Sequence, residues 1–142
     1  MAENETFVQS YQIVGWDFTR AGEASCEIKT LLKEIGTPQE IIRRIAIATY
    51  EAEMNVVMYA KRGTIRCEIS PNMIRIVLED EGPGIADINQ AMQDGFSTAS
   101  PEIREMGFGA GMGLPNIKRN SDDFQIASEV GIGTKLEMKF FL

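Results

Sequence analysis

The alternation of hydrophobic and polar positions divides this chain into strands and helices before any other property is considered. Residues 6–14 (TFVQSYQIV) read as a first strand. Residues 21–35 read as a helix closed by Gly36, a residue suited to the turn just past a helix end. Thr37-Pro38-Gln39-Glu40 has the form of a capping box with proline at the first helical position, and it opens a long helix reaching about residue 61. Two strands follow, 64–70 and 73–79, joined by a turn at Pro71-Asn72. Beyond the break at Gly82-Pro83-Gly84, a short helix is expected over 88–93 and an irregular stretch over 94–113. A helix over 114–120 leads to a closing hairpin, 124–128 and 134–141, turned at Gly131-Ile132-Gly133.

Helices mixed with hairpin-joined strands predict an α+β architecture in one domain spanning residues 1–142. Composition adds mainly exclusions. The net charge is -7, which disfavours a nucleic-acid surface, since phosphate contacts need a lysine and arginine face. No apolar run is long enough to span a membrane, and the acidic, polar start MAENETF resembles no signal or transit peptide, so a cytoplasmic protein is expected. The absence of histidine removes Ser-His-Asp, Cys-His and histidine-ligated metal chemistry. The two cysteines, Cys26 and Cys67, have no metal-ligand spacing and read as buried thiols.

Four places remain where chemistry could sit. In the long helix, Glu51 and Asn55 are four residues apart and share one face. They read either as a hydrogen-bonded core pair or as a carboxylate that activates a nucleophile beside an amide oxygen that holds Mg2+. On the strand before the first glycine break, Asp80 continues the inward parity of Ile74, Ile76 and Leu78. It is either a turn-forming aspartate or an acceptor for an exocyclic amine such as adenine offers, with Gly82 and Gly84 letting a flat ring approach the backbone. Thr134 shares the inward parity of Leu136, Met138 and Phe140. Glycines at 107, 109, 111 and 113 fit neither the Walker spacing nor the G-x-G-x-x-G fingerprint, yet they leave N–H groups free for an anion at a helix start. Taken in order, these features predict a nucleotide whose base lies by Asp80 and whose phosphates are wrapped by the glycine loop.

The boxes EAEMN (51–55), DEGPGI (80–85), GMGL (111–114) and GIGT (131–134) resemble those of the Bergerat-fold, or GHKL, ATPases, over nearly the whole chain. Within that superfamily the chain is most similar to the anti-sigma-factor serine/threonine kinases and stressosome switch kinases. The fragments MYAKRG, AMQDGFSTA, GLPNIKR and DDFQIASEVGIGT carry that likeness. The resemblance implies a two-layer sandwich: a mixed, mostly antiparallel sheet with helices on one face and an ATP lid at about 94–113. It implies that Glu51 is the general base, that Asn55 coordinates Mg2+, and that Asp80 binds the adenine amine. It assigns to nucleotide binding Gly82, Gly84 and Ile85 in the second box. In the glycine loop it assigns Gly109, Gly111, Met112, Gly113 and Leu114, with Thr134 supporting the base.

The implied activity is transfer of the ATP γ-phosphate to a serine or threonine of a small STAS-like regulatory partner. A sigma factor is a further implied partner and a homodimer an implied assembly. In two respects the chain departs from these kinases. Met54 stands where they usually place arginine, and SPEIREMGFGA lengthens the lid. The alternative reading is therefore a nucleotide-gated binding switch that moves no phosphate.

Overall fold

The computed structural model describes residues 6–93, 101 and 113–142. Five strands, β1 (Phe7–Val14), β2 (Arg62–Ser70), β3 (Met73–Glu81), β4 (Asp123–Glu129) and β5 (Gly133–Phe141), form one sheet in the order β1-β2-β3-β5-β4. All four ladders are antiparallel, so the mixed component implied by the resemblance is absent among the described residues. Among the described residues, the helices α1 (Glu23–Glu34), α2 (Gln39–Tyr59), the short α3 (Ile88–Ala91) and α4 (Gly113–Asn120) accompany them. α2 packs on the sheet, with α1 and α4 beside it, which gives the expected two layers.

Strand parity builds the core. Ile74, Ile76 and Leu78 of β3 face the helices and pair with Phe140, Met138 and Leu136 of β5. On the other side of β3, Ile65 and Cys67 of β2 continue the same buried rows. The helices contribute Ile28 and Leu32 from α1, Ile45 and Val56 from α2, and Ile117 from α4, all fully buried. The opposite sheet face is charged. Arg75 donates to Glu68 and Glu137, and Arg66 also donates to Glu68. Burial opposes ionisation of Glu68, but these two guanidiniums outweigh it and hold its carboxyl below the ordinary value.

Two ends of the long helix differ from expectation. The capping box does not form. α1 closes through Gly36 at φ 81, with the Thr37 N–H bonded to the Leu32 carbonyl at 3.0 Å. Thr37 is thereby the last residue of that closure, and Pro38, extended at ψ 138, becomes the N-cap of α2 without a side-chain cap. At the other end the helix stops at Tyr59, because Ala60 is extended and the Lys61 N–H joins the sheet edge at the Glu81 carbonyl, 2.8 Å away.

α2 is fixed in rotation by two polar contacts. Arg44 reaches the Asn120 carbonyl at the end of α4 and Asp122 beyond it, at 3.2 and 3.1 Å. Glu53, only 2% exposed, accepts backbone N–H bonds from Gly22, Ala24 and Ser25 at 3.0, 3.2 and 2.9 Å. Gly22 is the N-cap of α1 in a left-handed conformation and has no side chain to cap with. Glu53 supplies that cap from the neighbouring helix, where the positive end of the α1 dipole also favours its charge. Replacing Glu53 by alanine strands three donors, two of them buried, so Glu53→Ala is expected to lose about 3 kcal/mol of stability. Glu53→Gln keeps an acceptor and should lose less than Glu53→Ala. Urea denaturation of the two variants measures the difference, and equal losses would exclude the capping role.

Candidate functional site

The box EAEMN lies in the second half of α2, and its helical geometry separates its polar groups. Residues two apart point to opposite sides. Glu53 turns to α1, while Glu51 and Asn55, both partly exposed, turn to α4. There the Asn116 side-chain amide donates to Glu51 Oε2 at 2.9 Å. Asn55 meets the first residue of α4. A Cβ placed on Gly113 would lie 3.2 Å from Asn55 Oδ1, so the bare glycine lets the amide reach the helix start. A carboxylate and an amide thus sit together at an N-terminal helix end. An amide oxygen is a suitable ligand for a hard cation that also binds phosphate, and the N-terminus of α4 favours the phosphate itself. Leu114, one residue on, is buried under α4 and anchors it rather than lining a surface.

The second half of the site is at the end of β3. Inward parity carries past Leu78 to Asp80, which is half-buried at the end of the central strand. Asp80 Oδ1 accepts the Thr134 backbone N–H at 3.0 Å. Among the described residues, Oδ2 receives no hydrogen bond. Partial burial raises the Asp80 carboxyl above its ordinary value, with the Thr134 N–H opposing that rise. Close backbone approaches shape the surroundings. The Gly82 N–H bonds to the Ile132 carbonyl at 3.1 Å and the Gly131 N–H to the Pro83 carbonyl at 2.9 Å. Gly84 has φ 74, and a Cβ there would come within 2.4 Å of the Glu129 carbonyl oxygen. Gly82 lies against Ala60, the C-cap of α2, so the Asp80 loop touches the helix that carries Asn55. Ala60 lies five positions beyond Asn55, about 7.5 Å along the axis.

Thr134 turns out to be held rather than free. Its hydroxyl lies 2.9 Å from Ser128 Oγ. Ser128 donates its one hydrogen to the Gly133 carbonyl at 3.1 Å, and accepts the Ile85 N–H at 2.8 Å and the Thr134 O–H. Ile85 is thus fixed by its backbone, and the hydroxyl pair ties the DEGPGI loop to the last hairpin. Gly109, Gly111 and Met112 lie outside the described residues, as does all of the expected lid 94–113 except Pro101 and Gly113.

Three participants were not singled out from the sequence. Glu53 carried a signal, since a second carboxylate on a helix apolar nearly all round needs a partner. Ser128 shares the inward parity of Ile126 on β4, which is a weaker one. Asn116 lies three residues past Gly113, one helical turn into α4, where a side chain can reach back to the same surface.

The profile of the histidine kinase-like ATPase domain matches residues 17–140. The chain is 35% identical over 126 residues to the serine/threonine-protein kinase RsbT of Bacillus subtilis (strain 168), covering 86% of each chain. It is 35% identical over 108 residues to the anti-sigma F factor of Caldanaerobacter subterraneus subsp. tengcongensis, covering 72% of each. Among solved structures, the mycobacterial sensor histidine kinase MprB superposes with a TM-score of 0.55 over 94% of this chain and 97% of that one, at 16% identity. That likeness concerns the fold.

The raised Asp80 carboxyl has a consequence for the free protein. A carboxyl that holds its proton more tightly when folded makes stability fall as pH rises from the ordinary aspartate value through the folded one. Asp80→Asn removes that penalty and keeps an oxygen for the Thr134 N–H. The variant is expected to melt no lower than the parent at neutral pH and to lose that part of the parent's pH dependence, as thermal unfolding between pH 4 and 7 will show. A variant clearly less stable than the parent at neutral pH would contradict this.

Proposed function

The chain belongs to the histidine kinase-like ATPase family, and we propose that within it the protein is an ATP-dependent serine/threonine kinase of the anti-sigma-factor type. Its substrate would be a serine or threonine hydroxyl on a small STAS-like regulatory protein, and its setting the cytoplasm. Among the described residues, no helix is long and apolar enough to cross a membrane. The whole chain, 1–142, is read as a single domain.

One observation carries the proposal. A single face of α2 presents Glu51 and Asn55 at the start of a glycine-led helix, and the same helix ends against the loop of a half-buried aspartate with an open acceptor oxygen. Each feature supports one part of a nucleotide. Asp80 Oδ2 would accept the exocyclic amine of adenine, with Oδ1 held in place by Thr134. Gly82, where a Cβ would lie 3.4 Å from Asp80 Oδ1, would leave the base room beside that carboxylate, and Gly84 holds the loop against Glu129. Gly113 and the loop before it would offer N–H groups to the phosphates. Asn55 would hold Mg2+, which when bound neutralises phosphate charge and fixes the phosphate geometry. Glu51 would accept the proton of the attacking hydroxyl, and Asn116 would orient it for that role. Phosphoryl transfer asks a protein mainly for such positioning and charge stabilisation.

Met54 favours the second reading, a nucleotide-gated switch without transfer. It is 2% exposed and packed in the core, so it brings no charge to the phosphates where the resemblance usually places arginine.

Calorimetric titration with ATP and ADP, each with and without Mg2+, tests the pocket. Asp80→Asn is expected to weaken ATP binding at least tenfold, about 1.4 kcal/mol. Incubation with a STAS-domain protein and ATP then separates the two readings by mass. In the kinase, Glu51→Ala lowers phosphorylation roughly 100-fold or more while ATP still binds. A partner that binds in an ATP-dependent way and never gains phosphate selects the switch. A parent protein that binds no ATP removes both.

A further inference from the structure

A second surface lies on the far side of α2 from Glu51 and Asn55. β1 is an edge strand; among the described residues it pairs with β2 and with no other strand. Natural edge strands are usually short, bulged, or guarded by charge or proline. β1 is none of these. Its eight residues, FVQSYQIV, contain no charge, proline or glycine, and they pair in unbroken register from Phe7 with Ile69 to Val14 with Arg62. Phe7, Val8 and Val14 are 52%, 49% and 58% exposed.

Alongside this strand, α1 forms the second wall of a groove of about 750 Å³. The α1 wall presents Glu23, Glu27 and Glu34, while Lys29 and Lys33 lie outside the lining. Asp17 adds a further carboxylate. Among the described residues that line the groove, Arg20 is the one cation, and it is 3.2 Å from Glu23. Glu53 also borders the groove, with its carboxylate already engaged by the start of α1.

Trp16 stands just past the end of β1 with a backbone that a tryptophan disfavours. Its φ is 62, and its N–H is tied to the Val57 carbonyl at 2.8 Å. The residue is 52% exposed, with its ring edge-on to Phe18 at 5.3 Å. A strained backbone that displays a half-exposed tryptophan gains little packing within the chain, and exposed tryptophans are enriched as interface anchors.

We propose that β1 and this acidic groove receive an extended, lysine- or arginine-bearing segment of a partner protein, which adds to β1 as a further strand and seats against Trp16. The strand edge supplies main-chain hydrogen bonds, and alternate side chains of the incoming segment fall into the groove. The groove's charge selects their sign. The surface is separate from the nucleotide site, so the inference stands or falls independently of the kinase reading.

The test uses the whole chain and two blocked peptides of eight residues, the length of β1: one of alternating lysine and valine, one of alternating glutamate and valine. Two reporters are built in. Trp16 is the chain's one tryptophan, and Cys26, against the expectation of a buried thiol, is exposed and lines the groove. Cys67 stays silent, being buried with its thiol pushed up to about 12. The lysine peptide is expected to shift Trp16 emission and slow Cys26 alkylation at least tenfold at saturation, with an affinity that falls as salt is added. The glutamate peptide should do neither. The double variant Glu27→Lys/Glu34→Lys should reverse the preference. Trp16→Gly suits the positive φ, so it should fold at least as well as the parent and bind the lysine peptide at least tenfold more weakly, read by Cys26. Equal protection by both peptides, or protection by neither, overturns the proposal. So does Cys26 protection that grows with protein concentration alone, which would assign the edge to a second copy.

Discussion

The carboxylate of Glu53 on the start of α1 is the contact on which the arrangement of this protein turns. A long helix lying on a sheet can rotate about its axis with little change in apolar burial when it is hydrophobic nearly all round, as α2 is. Three hydrogen bonds that Glu53 accepts from backbone N–H groups remove that freedom. Because Glu51 and Asn55 occupy the opposite side of the same turns, fixing Glu53 also aims them. The carboxylate is buried where backbone N–H groups and the electropositive helix end offer it partners. Arg44 does the corresponding work nearer the start of α2 by holding the end of α4. The surface on which the site is built is thus set by polar contacts on the helix's flanks, while the apolar core supplies the bulk of the stability.

At the sheet's end the same economy appears in another form. Asp80 gives one oxygen to the fold and leaves the other open. Its Oδ1 bond to Thr134 joins β3 to β5 where the ladder between them has run out, since their last paired residues are Glu79 and Lys135. A ligand group at Oδ2 would therefore bind a residue whose position is already determined by two strands. The half-buried carboxylate is less stable ionised than it would be in water, and an incoming donor relieves that. Readiness to bind and a small loss of stability in the free protein have one cause.

Much of this was legible from pattern alone. The period of two in β3 and β5 placed Asp80 and Thr134 on the inward face, and the helical period put Glu51 beside Asn55. Strand parity is dependable here because one face of the sheet is buried and a one-residue slip would expose the whole row. Other features depend on partners far along the chain, which no local pattern encodes. Glu53 finds its donors 28 to 31 residues away, and Asn116 meets Glu51 across 65. Thr37 shows local chemistry overruled by a neighbour: a sound capping-box sequence lost to the closure of the preceding helix, which claimed the same N–H. The glycine loop was recognised by composition, but most of it falls among residues 102–112, outside those described.

The interlocked turns near Asp80 also divide the chain by how much foreign sequence it can carry. The 82–84 loop and the 130–132 turn exchange backbone hydrogen bonds in both directions, and Gly84 leaves no room against Glu129 for even a methyl group. Lengthening either turn breaks the bonds it makes to the other, so an insertion there is expected to disturb both. The bend between α1 and α2 is the opposite case. Nothing lies within 4 Å of the space beside Gly36, and the chain there faces solvent. A tag, a reporter or an added regulatory segment has its natural point of entry at that bend.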